Sequence, residues 1–209
     1  MRLATLLLAF ICACNTQLAD VIDPPPDNLH DQLAETSTRL LMTPASSGSI
    51  VAERWSSAGW QQGAVELSIS DGEIVAHLDD ANRLVVETFK VGFDTIDIPA
   101  SVIGTATQLS DVRLVLESAS SVEPSWPDAD TLQATTNLDV SLSWSLHTGT
   151  SSVPLGVQHL HLPLQLQVTG NGRTASATLG ISTTGDVWQW AALVKLRDLE
   201  LTLQASTVL

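Results

Sequence analysis

Residues 134–169 read ATTNLDVSLSWSLHTGTSSVPLGVQHLHLPLQLQVT, and their patterning decides the fold. In the first half Leu138, Val140, Leu142, Trp144 and Leu146 share one parity, and Asp139, Ser141, Ser143, Ser145 and His147 share the other. Successive side chains of a strand point to opposite faces, so this run has one apolar and one polar face. Leu160, Leu162, Leu164, Leu166 and Val168 repeat the pattern in the second half. Between them Thr148-Gly149-Thr150-Ser151-Ser152 has turn composition, and the whole predicts a long β-hairpin. The parity slips between Val157 and Leu160, which predicts a bulge near Gln158 and His159.

Working outward, alternating runs recur over 50–55, 64–70, 73–78, 84–91, 94–98, 109–117, 173–183, 187–191 and 193–205. Asp71-Gly72 and Asn171-Gly172 read as tight hairpin turns between such runs, and 122–130 reads as a loop. About ten short strands with no helical pattern between them predict an all-β chain. Its form is an antiparallel β-sandwich or a strongly curved sheet or barrel. Ahead of it, residues 27–42 place Leu29, Leu33, Leu40 and Leu41 at roughly helical spacing behind three prolines, so a short helix capped by Asp27 is expected. Residues 109–117 and 196–204 echo one another, LSDVRLVLE against LRDLELTLQ. Alternation alone generates much of that likeness, and no repeat is inferred from it.

The chain opens MRLATLLLAFICAC, one positive charge followed by an apolar run of about ten residues, too short to cross a bilayer as a helix. Its end, Ile11-Cys12-Ala13-Cys14, resembles the lipobox of bacterial lipoproteins. The resemblance implies cleavage after Ala13, acylation of Cys14 and attachment to a membrane through that lipid. Asn15, in the place where Asp would retain an enterobacterial lipoprotein in the inner membrane, leans the expectation to the outer membrane of the cell envelope. The expected organisation is a signal peptide over 1–13, a lipid-anchored tether with a Pro24-Pro25-Pro26 spacer and the short helix over 14–48, and an all-β domain over 49–209.

The chain has 9 basic and 23 acidic residues and a formal net charge of −14, and loss of Arg2 with the leader makes it one unit more negative. Nothing in it neutralises a phosphate backbone, so nucleic acid is not an expected partner. The net charge also predicts repulsion from an anionic membrane surface, leaving attachment to the acyl chains. With Cys12 removed and Cys14 acylated, the folded part would carry neither thiol nor disulfide, and its stability must come from its core.

Three groups of residues are candidates for a site. His159 and His161 share a strand face, and a turn centred near Thr150 brings Asp139 opposite His161, a set that could hold zinc or copper. Two imidazoles on a polar strand face is the plainer reading, and no metal or other cofactor is expected. The indoles of Trp55, Trp60, Trp126, Trp144, Trp188 and Trp190 could stack on sugars or enter a lipid interface, though Trp144 falls in register with core aliphatics. Asp79-Asp80, Asp94 with Asp97, and Asp128 with Asp130 lack calcium-loop spacing and read as turn residues. There is no Gly-x-Ser-x-Gly and no phosphate-binding glycine loop. The expectation is a non-enzymatic envelope lipoprotein with a binding or structural β-module, its partner a protein, glycan or lipid. A carrier of an apolar ligand in a curved β cavity is the alternative, and an outer-membrane barrel is a third reading.

Overall fold

A computed structural model describes residues 27–148, 151–190 and 194–207. Its strands are β1 (Thr38–Met42), β2 (Ser47–Ser56), β3 (Gly59–Leu78), β4 (Leu84–Phe93), β5 (Ile96–Ile98), β6 (Thr107–Leu116), β7 (Ser120–Val122), β8 (Ser125–Asp128), β9 (Thr131–Thr148), β10 (Ser151–Gly170), β11 (Ala175–Ser182), β12 (Asp186–Trp190) and β13 (Val194–Ser206). The two helices, α1 (Leu29–Glu35) and α2 (Ala100–Ile103), are short. All pairings are antiparallel and join the strands into one sheet, so the chain is all-β. β3, β2, β13, β11, β10, β9, β6 and β4 form a ring that closes where β4 pairs back onto β3. Closure leaves few strand edges to attract other chains.

The hairpin that decides the fold is β9–β10, paired from Thr148 and Ser151 to Thr131 and Thr169. Its alternation is realised as read: Leu138, Val140, Leu142, Trp144, Leu146, Leu162, Leu164, Leu166 and Val168 are all buried. The bulge falls between Leu155 and Gln158, slightly earlier than the parity suggests. Apolar side chains point into the ring and Ser, Gln and charged residues point out, the reverse of a lipid-facing barrel.

Four expectations are corrected. Asp71-Gly72 is no turn, because β3 runs straight through it. A Cβ on Gly72 would lie 2.6 Å from Met42 Cγ and 2.8 Å from the Lys90 carbonyl oxygen, so the glycine is there to let β1 and β4 close on β3. The helix is shorter than 27–42. Its cap is Asn28, whose Oδ1 accepts from Asp31 N at 3.0 Å, and after Thr36 the chain alternates and pairs as β1 with β3 and β13. Helical spacing of Leu29 and Leu33 holds, both being buried, but Leu40 is buried as a strand residue beside exposed Arg39. Residues 29–48 accordingly belong to the folded body and not to a tether. Finally, 122–130 contains β7 and β8 strand residues where a loop is expected.

The echo between 109–117 and 196–204 is a structural repeat. β2–β6 and β9–β13 are two sets of five strands with the same internal pairings: first with second, second with third, third with fifth and fourth with fifth. The fifth strand of each set pairs with the first strand of the other, β6 with β9 and β13 with β2. Both fifth strands break register at the same place, between Ser110 and Arg113 and between Arg197 and Glu200. Each bulge holds an aspartate at φ 54°, Asp111 and Asp198, in the left-handed region that Asp and Asn visit more readily than most residues. After each the apolar residue turns inward, Val112 and Leu199 both being buried.

Leu109 with Leu196, Val112 with Leu199 and Ile50 with Trp144 are corresponding pairs, and together they line the centre of the core. The cavity there is about 20 Å³ and wholly apolar, room for about one water and without the polar partners a water requires. The barrel is therefore a packed body.

Its two ends differ. At one, where β9 starts and β10 ends, α1 docks with Leu29 against Gly170 and with His30 5.3 Å from the Trp126 ring. At the other, the ring divides into two faces, β5-β6-β9-β10 and β12-β13-β2-β3. β11 pairs with β10 only from Leu164 onward, and β4 pairs with β3 only from Ile69 onward. α2 covers the gap beside β3, with Val102 packed over Gly63. The outer edge of β10 carries Pro154 and Pro163, which have no N–H to offer another strand.

Candidate functional site

The divided end carries the feature least explained by packing. β2 and β3 turn over at Ser56 and Gly59, with Gly59 at φ 102° and the Ser56 hydroxyl donating to the Gly59 carbonyl at 3.0 Å. Beside this turn Trp55 and Trp60 are directly paired across the strands. Their rings lie 5.4 Å apart at 66°, and each residue keeps 49% of its surface exposed. Lys195 Nζ sits 5.7 Å from the Trp60 ring while its ammonium pairs with Asp186 at 2.7 Å. Arg54 donates to the Ile103 carbonyl at 2.8 Å, tying the hairpin to α2. Val153 and Val157, at the start of β10, are also exposed. Of the five large exposed hydrophobic residues among those described, four are at this end, the fifth being Val115 on the outer face of β6.

The other indoles behave differently. Trp144 and Trp188 form an edge-to-face pair at 5.2 Å and 79° inside the core, where the sequence places Trp144. Trp126 is half-buried against His30. That Trp55 and Trp60 flank one turn is visible in the sequence only when the spacing of five is read as a hairpin, because Ser56-Ser57-Ala58-Gly59 is a modest turn signal.

The histidines are where the strand register predicts, and they do not converge. His161 is directly opposite Asp139, and its Nδ1 pairs with that carboxylate. His159 pairs instead with Glu117, which lies beyond β9 next to Asp139 and which no local pattern links to it. Among the described residues no three His, Cys, Asp or Glu side chains are grouped to hold a metal ion. His147 bonds the Ser110 hydroxyl at 2.6 Å and His77 meets Glu87 at 3.2 Å, so imidazole–oxygen pairs are a general trait of the outer surface.

The acidic turn residues also have local roles. Asp79 accepts from the backbone N–H of Ala81 and Arg83 at 2.9 Å and from Arg83 Nε at 2.8 Å, contacts that hold its carboxyl below the ordinary value. Asp128 accepts from Asp130 N at 3.0 Å, and Asp97 accepts from Gln108 at 2.8 Å. On the outer face Glu73 is bonded by Lys90 at 2.8 Å and Arg39 at 2.6 Å, and these donors, Lys90 first, keep its carboxyl below the ordinary value. The Arg197 guanidinium is raised by Asp198 and Glu53 beside it. The Glu73 and Glu53–Arg197 contacts tie neighbouring strands, and the Asp79 and Asp128 contacts hold turns. Cys14 and the leader lie outside the described residues. No described helix is long and apolar enough to cross a membrane. No protein-family model matches the chain, and no curated protein matches it.

Proposed function

We propose that the chain is a non-enzymatic lipoprotein of the bacterial cell envelope, anchored by acyl chains on Cys14, whose barrel is a binding module working through its divided end. The observation that carries the second half is the exposed Trp55–Trp60 pair, set on a turn at the end of the barrel opposite α1. The internal repeat supplies a control. Counting from the shared bulges, Arg54 corresponds to Thr148, so the second hairpin has the same architecture but ends earlier and has no tryptophan beside its turn. The fold does not require indoles at this position, and half-exposed tryptophan is a hallmark of recognition surfaces.

The anchor rests on the lipobox resemblance and on the sequence that follows Cys14. About a dozen residues separate Cys14 from α1, with three prolines among them, a spacer that would hold the barrel clear of headgroups. The carrier alternative requires the barrel to open, because the space inside is water-sized. Labelling cells with a radioactive or clickable palmitate tests the anchor. Wild type should take up label, Cys14→Ser should not, and an unlabelled wild type would refute the lipoprotein reading.

A further inference from the structure

The distribution of charge narrows what the divided end can bind. The described segments that build it, 54–65, 98–110, 140–148, 151–158, 187–190 and 194–197, contain no Asp or Glu, although the whole chain has 23. The same segments contribute Arg54, Lys195 and Arg197 of the chain's 9 basic residues. Lys195 and Arg197 are balanced by Asp186, Glu53 and Asp198 at the margin of the region. Among the described residues no carboxylate lies within ion-pair distance of Arg54. A strongly anionic body thus ends in an acid-free cap that carries the exposed Trp55, Trp60, Val153 and Val157.

We infer that this cap seats on a lipid bilayer, with the Trp55–Trp60 turn entering the interface between headgroups and acyl chains. The chemistry matches on three counts. Indoles, with an apolar body and a polar N–H, favour that layer over both water and hydrocarbon. The turn at their tip, Ser56-Ser57-Ala58-Gly59, has no charge to desolvate. The uneven charge orients the molecule, since an anionic surface repels the acidic body and tolerates only the acid-free end. Net charge alone predicts that no protein face touches a membrane, and the placement of the acids reverses this for one end. The inference deepens the proposed function by naming the partner of that end. With α1 at the opposite end, the acyl anchor and the tryptophan turn attach at the two extremities of the barrel.

The test uses the chain from residue 15 onward, which keeps every described element and lacks the acyl site. Co-sedimentation is measured with vesicles of phosphatidylcholine and phosphatidylglycerol, and Trp fluorescence is read against lipids brominated at defined depths. Wild type should sediment with vesicles and be quenched most by shallow bromines. Trp55→Ser should weaken partitioning about ten-fold and W55S/W60S about a hundred-fold, with circular dichroism and the melting temperature unchanged. Absence of wild-type sedimentation, or equal sedimentation by W55S/W60S, overturns the inference. Wild-type self-association lost in W55S/W60S, without vesicle binding, also overturns it and assigns the pair to a second copy. Because Cys14 is absent, failure here leaves the lipoprotein reading intact, and failure of palmitate labelling leaves this one intact.

Discussion

The two bulge aspartates offer a test of the internal repeat that also separates backbone strain from hydrogen bonding. Asp111 and Asp198 share φ 54°, a conformation that costs most L-residues about 1–2 kcal/mol and glycine almost nothing. Their side chains differ. Asp198 Oδ1 accepts from Gly185 N at 2.8 Å in a partly buried site, and its backbone N–H donates to the Gly185 carbonyl at 3.0 Å. Asp111 meets only the exposed Ser110 hydroxyl at 3.2 Å. Leaving a partly buried N–H unpaired costs about 1–3 kcal/mol, whereas an exposed hydroxyl contact contributes well under ~1 kcal/mol. Asp111→Ala should therefore destabilise by about 1 kcal/mol, chiefly backbone strain, and Asp198→Ala by about 2–4 kcal/mol. Asp111→Gly should be close to neutral, while Asp198→Gly should recover the strain but not the lost bond. Urea titration followed by far-ultraviolet circular dichroism reads all four. Equal losses for the two alanine variants, or an Asp111→Gly as unstable as Asp111→Ala, would refute the reasoning.

Other outcomes follow from the same structure. Gly72→Val should lower stability by about 2–3 kcal/mol or prevent folding, because the added atoms meet the Lys90 carbonyl; if Asp71-Gly72 were a surface turn, the melting temperature would move far less. Leu138→Ala, at a fully buried position of the long hairpin, should cost about 2–5 kcal/mol by thermal or chemical melting, since it leaves a cavity between packed faces. The carboxyls of Glu73 and Asp79 sit below their ordinary values of 4.5 and 3.8, so their stabilisation is complete above those values and lost as pH falls through the depressed ones. Glu73→Gln should thus be less stable than wild type at pH 7, and the gap should shrink on titration below about pH 4 in a pH-resolved melting series.

What the sequence discloses here is what alternation governs. Period-two burial in β9, β10 and β11 is a local property, so Leu138 to Leu146 and Ala175 to Ile181 could be placed on the inner face without knowing what they touch. The His161–Asp139 pairing was equally legible, since a hairpin register follows once its turn is located. Asp71-Gly72 misled because a glycine needed for close approach looks the same as one needed for a turn; the deciding atoms, in Met42 and Lys90, are distant in sequence. Leu40 misled because its spacing from Leu33 suits a helix while its partners, β3 and β13, are supplied by the fold. Closure of the ring through β3 and β4, and the meeting of His159 with Glu117, depend on strand order, which no local pattern encodes. The tryptophan turn was visible as residues and invisible as a site, because exposure belongs to the assembled barrel.

The pairing of β13 with β1 and β2 has a consequence in time. Leu41 meets Ser206 and Ser47 meets Thr202, so β1 and β2, which find β3 soon after it is made, must wait for β13 to supply their second neighbour. A nascent chain lacking β13 holds β2 with one side unpaired and the core open, and contacts of such sequence separation form slowly. On the export reading proposed above, that delay suits a protein that must cross a membrane unfolded. On that reading the barrel would take its final shape only once β13 reaches the far side and pairs with β1 and β2.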